Sequence, residues 1–419
     1  MDHFNYQGDA LFAEDCRLSD MAEQVGTPFY CYSTATLRRH YRAIADAVNG
    51  LDCSIFYAVK ANSNIAVIAT LAAMGAGADV VSGGEFKRAI KAGVAANKMV
   101  FSGVGKTADE MKMVLDAGIY QINVESEPEL ELLSAVACEL GKTADITLRV
   151  NPDVDARTHE KITTGKAENK FGINLDLARD IYRRAAKMDG IAIKGVALHI
   201  GSQLLELEPY QEAYTRIAEF IGDLRDQGLK VERLDLGGGL GIPYSGEKAP
   251  SPQQYGNVIK NTVGDLGCHL AIEPGRVMVG NAGVMVTRVI YMKQGTKNRF
   301  AIVDGAMNDL IRPTLYNAHH DIVPVVKTAD DGGAIDVVGP ICESGDYLGK
   351  GRKLGSLQAG DLLAVRTAGA YGAVMVSAYN SRPLAPEILV DGDQFQVIRK
   401  RVDIEDMLDL ETIPDWIEK

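Results

Sequence analysis

Short apolar runs alternate with amphipathic stretches along most of this chain, beginning near residue 52. The apolar runs have the length of buried strands, and the stretches between them place apolar residues on one helical face, as at Ile65, Ile68 and Ala72. Eight such units in succession predict an α/β fold with a (β/α)8, TIM-like barrel; a doubly wound sheet, the alternative, seldom reaches eight regular units. The predicted strands lie at residues 54–59, 78–81, 99–102, 120–124, 145–150, 193–199, 231–236 and 268–272.

The pattern changes after about residue 280, where few helical stretches separate the apolar runs. Clusters of Gly, Asp and Asn lie between these runs, which is typical of a mostly antiparallel β domain. The runs lie at residues 283–291, 300–303, 335–338, 361–366 and 394–400. The apolar segment 29–32 is a further strand candidate that joins this domain from the other end of the chain. We therefore predict a barrel domain over residues 30–280 and a β domain built from 1–29 and 281–419.

The ends of the predicted barrel strands carry the residues with candidate chemistry, because a barrel gathers its active site at the carboxyl ends of its strands. Lys60 follows the first strand directly. A lysine that is partly desolvated there has a lowered pKa, and its neutral amine can form a Schiff base with a carbonyl, as in pyridoxal phosphate enzymes. The alternative is a lysine that caps the strand with its charge in solvent. Asp79 flanks the second strand.

The carboxyl ends of the sixth and seventh predicted strands carry His199, Ser202 and the glycine run 237–241. Glycines allow the backbone to approach an anion and point several N–H groups at it, and barrels often bind phosphate after strands seven and eight. The run, which includes Gly238 and Gly239, therefore predicts a phosphate site to which Ser202 could donate; a tight turn is the alternative. His199 is either a satisfied core histidine or a ring that stacks on a flat aromatic ligand.

Glu273 follows the eighth strand and precedes Gly275 and Arg276. A carboxylate that faces a pyridine nitrogen keeps that nitrogen protonated, so the ring draws electrons strongly. Such a ring favours decarboxylation over racemisation, for which a weaker electron sink is better suited. The alternative reading of Glu273 is a helix N-cap.

Composition narrows the classes of partner and the compartment. The 419-residue chain has a formal net charge of −12, which disfavours nucleic acid or an anionic membrane as a partner. No apolar stretch approaches the roughly 20 residues of a membrane-spanning helix, and we expect no signal peptide. The six cysteines form no C-x-x-C pair, which favours neither a zinc site nor a disulfide framework. We expect no metal and a reducing, cytoplasmic location.

The polar stretch 153–170 follows the fifth predicted strand and lacks helical periodicity. Its place among the functional loops of a barrel suggests a mobile lid, and an ordered surface excursion is the alternative.

Taken together, these motifs resemble diaminopimelate decarboxylases, pyridoxal phosphate enzymes of the alanine-racemase-like barrel group (fold type III). The resemblance runs nearly from end to end. It is carried by residues 56–62 (FYAVKAN), 199–203 (HIGSQ), 237–241 (GGGLG), 273–276 (EPGR), 307–316 (MNDLIRPTLY), 342–346 (CESGD) and 369–372 (GAYG), and by the segments 158–162 and 170–172. The lysine, glycine and EPGR motifs are shared with ornithine and arginine decarboxylases, whereas the segment around Arg312 and Tyr316, with Cys-Glu at 342–343, points to diaminopimelate.

The resemblance implies a role for each residue of the cofactor site. Lys60 carries pyridoxal 5'-phosphate as a Schiff base, His199 stacks on its ring, and Glu273 pairs with the ring nitrogen. Asp79 also belongs to the cofactor site. The phosphate group is implied to lie among Ser202, Gly238, Gly239, Gly275, Arg276 and Tyr371.

The resemblance likewise implies how the substrate is held. Arg276, Arg312 and Tyr316 bind the carboxylate at the end that is not decarboxylated, near Tyr371, and Glu343 binds the ammonium at that end. Cys342 gives a proton to the carbon that has lost its carboxylate. In this group Cys342 and Glu343 come from the neighbouring subunit, so the active unit is a homodimer with shared active sites.

We therefore expect decarboxylation of meso-2,6-diaminopimelate to L-lysine and CO₂, the last step of lysine biosynthesis. The alternatives are a related decarboxylase of ornithine, arginine or carboxynorspermidine, a non-catalytic protein that binds pyridoxal phosphate, and an amino-acid racemase, which Glu273 disfavours. Ornithine lacks a far carboxylate, so an ornithine enzyme would gain nothing from Arg312 and Tyr316. Each of these residues also has an alternative interpretation without a role in the site: Arg312 as part of a surface ion pair, Tyr316 as an aromatic on a helix face and Cys342 as a buried apolar residue.

Overall fold

The structure, a computed structural model, describes residues 2–156, 170–328 and 333–417. The chain divides into two compact units, which we call the barrel unit (Leu37–Met278) and the β-rich unit (Met1–Thr36 with Val279–Lys419). The domain boundary expected at residue 30 falls inside the strand Phe29–Ser33. Because that strand pairs with strands of the β-rich unit, it is grouped there whole.

The strands of the described residues are numbered in chain order. They are β1 (Phe4–Gln7), β2 (Ala10–Ala13), β3 (Cys16–Arg17), β4 (Phe29–Ser33), β5 (Cys53–Ala58), β6 (Gly77–Val80), β7 (Met99–Phe101), β8 (Gln121–Val124), β9 (Ala144–Asn151), β10 (Ile173–Asn174), β11 (Ile191–Ala197), β12 (Arg233–Asp235), β13 (His269–Ile272), β14 (Gly283–Gln294), β15 (Arg299–Val303), β16 (Ile322–Pro324), β17 (Ile335–Val338), β18 (Tyr347–Arg352), β19 (Leu362–Val365), β20 (Glu387–Asp391) and β21 (Gln394–Arg399).

The helices of the described residues are numbered in the same way. They are α1 (Leu18–Val25), α2 (Thr34–Ala47), α3 (Ile65–Ala72), α4 (Gly83–Lys91), α5 (Ala108–Asp116), α6 (Glu127–Glu139), α7 (Leu175–Ala185), α8 (Glu208–Asp226), α9 (Pro252–Val263), α10 (Arg276–Val279), α11 (Arg312–Tyr316) and α12 (Ile404–Leu408). Among the described residues, no helix combines the length and hydropathy needed to cross a membrane.

The barrel unit contains a closed parallel sheet. Its strands pair in the order β9, β11, β12, β13, β5, β6, β7 and β8, and β8 pairs with β9 to close the ring. The short strand β10 adds to β9 from outside this ring. The sequence prediction of a (β/α)8 barrel is confirmed, and each of the eight predicted strands overlaps an observed one.

Several barrel helices begin where a polar side chain accepts a hydrogen bond from the first helical turn. Ser82, Thr107, Ser126 and Ser251 each accept from the backbone N–H three residues ahead. Such a cap satisfies one of the backbone donors that a helix start leaves without an intrahelical partner. Each of these caps sets where its helix begins after β6, β7, β8 or β12.

The β-rich unit contains a large mixed sheet with the path β18-β17-β15-β14-β4-β20-β21, to which β19 and β16 add beside β14. Most of its pairs are antiparallel; β15 with β17 and β4 with β20 are parallel. The predicted mostly antiparallel domain is confirmed. A core that includes Phe29, Val284 and Ile388 packs against the small sheet β1-β2-β3. The strand β18 gave no apolar run because its sequence contains Gly349 and Gly351.

Candidate active site

Lys60 lies in a single 3-10 turn, Val59–Ala61, that follows β5 without a gap. Its Nζ donates to Oδ2 of Asp79 at 2.8 Å, and Asp79 lies on the neighbouring strand β6. The lysine side chain is 34% exposed whereas that of Asp79 is fully buried. The second oxygen, Oδ1 of Asp79, has no hydrogen-bond partner among the described residues. The lysine singled out from the sequence therefore stands at the carboxyl end of the barrel, held by a buried carboxylate.

Glu273 lies directly after β13 and is buried, with 7% of its surface exposed. Its Oε1 accepts from Ser102 Oγ and from Asn123 Nδ2, both at 3.4 Å. Burial raises the pKa of Glu273 well above its ordinary value, and the charges of Asp235 and Asp79 add to this effect while that of Lys60 opposes it. Glu273 is not a helix N-cap: it is a buried carboxyl that faces inward among other polar groups.

His199 is half-buried and adjoins the glycine run through its ring. Its Nδ1 accepts a hydrogen bond from the backbone N–H of Gly238 at 3.1 Å. Desolvation lowers the pKa of His199 well below its ordinary value, and the positive charges of Arg149 and Lys60 lower it further. The ring is therefore neutral at pH 7, with Nδ1 as acceptor, and its orientation is fixed by the glycine run.

The glycine run 237–241 passes unusually close to neighbouring backbone. A Cβ added at Gly238 would lie 2.2 Å from the carbonyl oxygen of Glu273, and one at Gly239 would lie 2.3 Å from that of Gly201. Gly239 also has φ of +108°, which side chains rarely adopt. Close packing thus explains why these residues are glycines, and the same packing places Gly238 between His199 and Glu273.

Arg276 starts the short helix α10 and is buried with 9% exposure. Its Nη1 donates to the hydroxyl of Tyr244 at 2.8 Å. Gly275, the residue before it, packs against β5, where an added Cβ would lie 3.1 Å from Ala58 Cβ. Ser202 is half-buried and follows Gly201, which adjoins Gly239. These residues lie at the same end of the barrel as Lys60, as the sequence predicted.

The sequence reasoning missed a set of polar side chains that fill the barrel interior beneath Glu273. Gln121 Nε2 and Asn123 Nδ2 both donate to Oδ2 of Asp235, at 3.3 and 3.1 Å. Thr147 donates to Asn123 Oδ1 in turn. A signal existed: Gln121 and Asn123 are two residues apart within one strand, so their side chains point to the same face.

A second cluster that the sequence reasoning missed lies at the ends of β7, β8 and β9. Glu125 Oε1 accepts from Arg149 Nη1 at 2.8 Å and from the N–H of Gly103 at 2.9 Å. Lys106 Nζ donates to Glu129 Oε1 at 2.7 Å, and its side chain is 1% exposed. These paired charges tie the strand ends to one another and place Arg149 within electrostatic reach of His199.

Glu85 is a further carboxyl that sequence reasoning missed, in the first turn of α4. Its Oε2 accepts from the N–H of Val81 at 2.9 Å. Desolvation raises the pKa of Glu85 to about 7; the hydrogen bond from Val81 opposes the shift and the charge of Asp79 adds to it. A carboxyl near Lys60 and Asp79 therefore titrates close to neutral pH.

In the β-rich unit, Arg312 and Tyr316 bound the five-residue helix α11. Arg312 is buried with 6% exposure, and Tyr316 is half-buried. Thr314, between them, donates from Oγ1 to the carbonyl oxygen of Gly345 at 2.6 Å. The alternative in which Arg312 forms an ion pair on the surface is therefore wrong. Its helix is also hydrogen-bonded to the segment 342–346.

Cys342 and Glu343 are exposed. Asp346 anchors their segment, since its two carboxylate oxygens accept from the N–H groups of Met307 and Ile341, both at 2.7 Å. Glu343 also shares a hydrogen bond with the hydroxyl of Tyr379, which raises the pKa of that tyrosine. The interpretation of Cys342 as a buried apolar residue is wrong, because its thiol and the carboxylate of Glu343 are exposed on a segment that Asp346 anchors.

The predictions for Tyr371 and for the segment 153–170 stay predictions. Tyr371, half-buried in the β-rich unit, has φ of +55°, a value uncommon for a residue with a side chain. The expected lid over 153–170 lies mostly outside the described residues, which resume at Lys170.

Comparison with known proteins places this chain in a family. Residues 34–280 match the family model described as pyridoxal-dependent decarboxylase, pyridoxal binding domain. Diaminopimelate decarboxylase of Pseudomonas aeruginosa is 50% identical over 407 residues, covering 97% of this chain and 98% of that protein. The Vibrio cholerae enzyme of the same name is 48% identical over 417 residues, covering 99% of both.

A solved structure gives the same result. Diaminopimelate decarboxylase from Helicobacter pylori, complexed with L-lysine, superposes with a TM-score of 0.91 at 40% identity, covering 94% of this chain and 98% of that one. With this similarity over nearly the full length of both chains, the present chain belongs to the diaminopimelate decarboxylases, a family of pyridoxal-dependent enzymes that release carbon dioxide from diaminopimelate and form lysine.

Proposed function

We propose that this chain uses pyridoxal phosphate to convert meso-2,6-diaminopimelate to L-lysine and CO₂, and that Lys60 is the residue that holds the cofactor. The observation that carries the proposal is the amine of Lys60, which stands at the carboxyl end of the barrel 2.8 Å from Asp79. One amine held in place at a partly enclosed site is what a carbonyl-bearing cofactor requires.

The residues around Lys60 fit a flat pyridine ring that carries an aldehyde and a phosphate. Glu273, buried and acidic, suits the ring nitrogen, and His199 offers a neutral ring face. The bare backbone of Gly238 and Gly239 and the guanidinium of Arg276 suit the phosphate. Bound there, pyridoxal phosphate supplies a carbonyl that condenses with amines and a ring that draws electrons from the carbon losing CO₂.

Asp79 supports the role of Lys60. The carboxylate holds the lysine ammonium at one position and can stabilise its charge between turnovers. The buried Oδ1 of Asp79 lacks a partner among the described residues, so the site holds one acceptor that a bound group can satisfy. Asp79 is therefore best described as a positioning residue for the lysine.

Substrate recognition would rest on residues of the β-rich unit. Diaminopimelate has an amino-acid group at both ends, so the end that does not react needs a cation for its carboxylate and an anion for its ammonium. Arg312, with Tyr316 and Arg276, would bind that carboxylate and Glu343 that ammonium. The exposed positions of Glu343 and Cys342 are compatible with a segment that completes the site of a neighbouring subunit.

Cys342 would provide the proton that ends the reaction. Its thiol is exposed on a segment anchored by Asp346, so it can reach outward. We propose that it protonates the carbon that has lost its carboxylate, within a homodimer in which each active site uses Cys342 and Glu343 of the other subunit.

We also propose a cytoplasmic location. All six cysteines are free thiols in the structure, a state that a reducing compartment maintains. Cell fractionation with an antibody against the chain tests this, and recovery outside the cytoplasmic fraction would overturn it.

The test of the function is release of CO₂ by the purified chain, loaded with pyridoxal phosphate, from four carboxyl-labelled substrates. We expect release mainly from meso-diaminopimelate, because a site built to pair a second carboxylate and ammonium penalises substrates that lack them, by roughly 10⁴-fold in favourable cases. A preference for ornithine, arginine or carboxynorspermidine would refute the substrate assignment. Cofactor binding without release from any of them would indicate a carrier.

A further inference from the structure

Asp235 lies at the last position of β12, inside the barrel, and is 1% exposed. Both oxygens of this carboxyl accept hydrogen bonds from N–H groups, which can only donate. The N–H of Gly237 donates to Oδ1 at 3.0 Å, and the side-chain amides of Gln121 and Asn123 donate to Oδ2 at 3.3 and 3.1 Å. Such a set of donors favours the ionised form of a carboxyl group.

Glu273 lies beside Asp235, since Nδ2 of Asn123 is 3.1 Å from Oδ2 of Asp235 and 3.4 Å from Oε1 of Glu273. Two carboxyl groups can share a hydrogen bond only when one of them keeps a proton. Since Asp235 is surrounded by donors, the proton belongs on Glu273, whose Oε1 accepts from Ser102 and Asn123.

We propose that Glu273 and Asp235 hold one proton between them, and that Asp235 is the positioning residue that keeps this proton on Glu273 in the cofactor-free chain. Neither the family comparison nor the resemblance assigns a role to Asp235. Polar side chains surround the pair: Gln121 Nε2 donates to Oδ1 of Asn123 at 2.8 Å, and Nδ2 of Asn123, whose two hydrogens are divided among three oxygens, lies 3.1 Å from Ser102 Oγ. These contacts position the pair before any ligand binds.

The charges around the pair agree with this arrangement. Burial raises the pKa of both carboxyls; the hydrogen bonds from Asn123 and Gly237 oppose the rise at Asp235, whereas the charge of Asp235 adds to it at Glu273. Asp79 also acts on both groups, and Lys60 is the cation that acts on Glu273. The thiol of Cys53 and the hydroxyls of Tyr255 and Tyr120 face the charge of Asp235 from β5, α9 and the start of β8.

The consequence for the enzyme rests on the proposed function. If pyridoxal phosphate bound here, Glu273 would hold its ring nitrogen, and the proton that this nitrogen requires would already be on Glu273, which would remain as a carboxylate once it gave the proton up. Asp235 would stay ionised, and its negative charge would disfavour loss of the proton to solvent. The chain would thus store the proton that makes the ring a strong electron sink.

The first experiment reads the pair directly in the full chain freed of cofactor, by the infrared carbonyl stretch of a protonated carboxylic acid at pH 7. Because Glu85 is also partly protonated at this pH, the band of Glu273 is read as the difference between the wild type and Glu273→Gln, and we expect one protonated carboxyl in that difference. In Asp235→Asn we expect this Glu273 band to be missing at pH 7 and to appear only at a pH lower by at least about 1 unit, since an amide in place of the carboxylate stabilises ionised Glu273. Asp145→Asn, a half-exposed carboxylate paired with Arg233 at the other end of the barrel, is the control and should keep the band.

The second experiment uses the holoenzyme with ¹⁵N-labelled cofactor and reads protonation of the ring nitrogen by NMR. We expect a protonated nitrogen in the wild type and in Asp145→Asn, and a lower apparent pKa of that nitrogen in Asp235→Asn, with kcat reduced about tenfold and KM within about twofold. Absence of the acid band in the wild type, or an unchanged band in Asp235→Asn, would overturn the proposal. If Asp235→Asn does not fold, the wild type and Glu273→Gln still decide whether the proton is there. Failure to bind the cofactor would refute the proposed function and leave the infrared result standing.

Discussion

Glu273 and Glu343, the carboxylates to which we assign functions in the two compact units, lie in very different surroundings. Glu273 is buried in the barrel unit, with Ser102, Asn123 and Asp235 around it and a pKa raised by burial. Glu343 is exposed in the β-rich unit, on a segment that Asp346 and Thr314 anchor. Glu273 therefore finds its hydrogen-bond partners inside the barrel unit, whereas exposed Glu343 can also take partners from outside the chain.

This difference suits the two units to different parts of the proposed reaction. A buried, hydrogen-bonded network suits a cofactor whose electronics must be set before the substrate arrives. Exposed side chains on an anchored segment suit recognition of a flexible substrate, or completion of a second subunit's site, because their partners come from outside. The predictions that follow test this division, starting with the largest effect.

The strongest test mixes two inactive variants. We expect Lys60→Ala and Cys342→Ala each to lower kcat at least about 100-fold, since one loses the cofactor amine and the other the proton donor. If the active site is shared across a homodimer, refolding the two together restores about a quarter of the wild-type activity, because random pairing yields one intact site in half of the dimers.

The matched control for this mixture is Lys60→Ala with Glu273→Gln. Both changes lie in the barrel unit, so no combination of subunits contains an intact site and activity should not return. If the mixture of Lys60→Ala and Cys342→Ala stays as inactive as each variant alone, each subunit uses its own Cys342.

Glu343→Gln tests recognition by the β-rich unit. We expect KM for diaminopimelate to rise between roughly 10- and 100-fold, because a hydrogen bond to a charged group is lost, while kcat changes less. Steady-state kinetics measure both. Glu411→Gln, an exposed glutamate near the end of the chain, is the control. Unchanged kinetics in Glu343→Gln would remove this residue from the substrate site.

The smallest expected effect concerns stability against pH in the barrel unit. The pKa of Glu85 is raised from its ordinary 4.5 to about 7. The folded chain thus keeps a proton that the unfolded chain has released, so this group's contribution to stability is present below pH 4.5 and is lost as the pH rises to about 7.

Glu85→Gln removes this dependence, since a glutamine oxygen can still accept from the N–H of Val81. We expect the fall in free energy of unfolding between pH 4.5 and 7 to be smaller by about 1–2 kcal/mol, allowing for the partial exposure of Glu85. Urea unfolding at several pH values measures it. Glu139→Gln, at an exposed glutamate, serves as control, and parallel curves for Glu85→Gln and wild type would contradict the account.

The sequence predicted the barrel well because its signal is local and repeated. Each strand is a short apolar run, and each helix that follows has its own periodicity and often a capping residue such as Ser82 or Ser126. Lys60 and Glu273 could be singled out because a barrel assigns chemistry to strand ends. These two residues were selected by their positions in the strand–helix repeat more than by their residue types.

The interior network beneath Glu273 could not be predicted in the same way. Asp235 lies two residues before the glycine run, and its partners Gln121 and Asn123 lie more than a hundred residues away in the chain. Only closure of the ring by β8 and β9 brings such groups together. In the β-rich unit, β18 and β20 escaped prediction because strand pairing there depends on distant segments and not on a repeating pattern.

The most direct test of the account is the site of attachment of the cofactor. The purified chain, loaded with pyridoxal phosphate, is reduced with borohydride, digested and analysed by mass spectrometry. The account predicts one reduced adduct, on the peptide that contains Lys60, and none on buried Lys106 or in Lys60→Ala. No adduct in the wild-type chain, or an adduct on a different lysine, would contradict it.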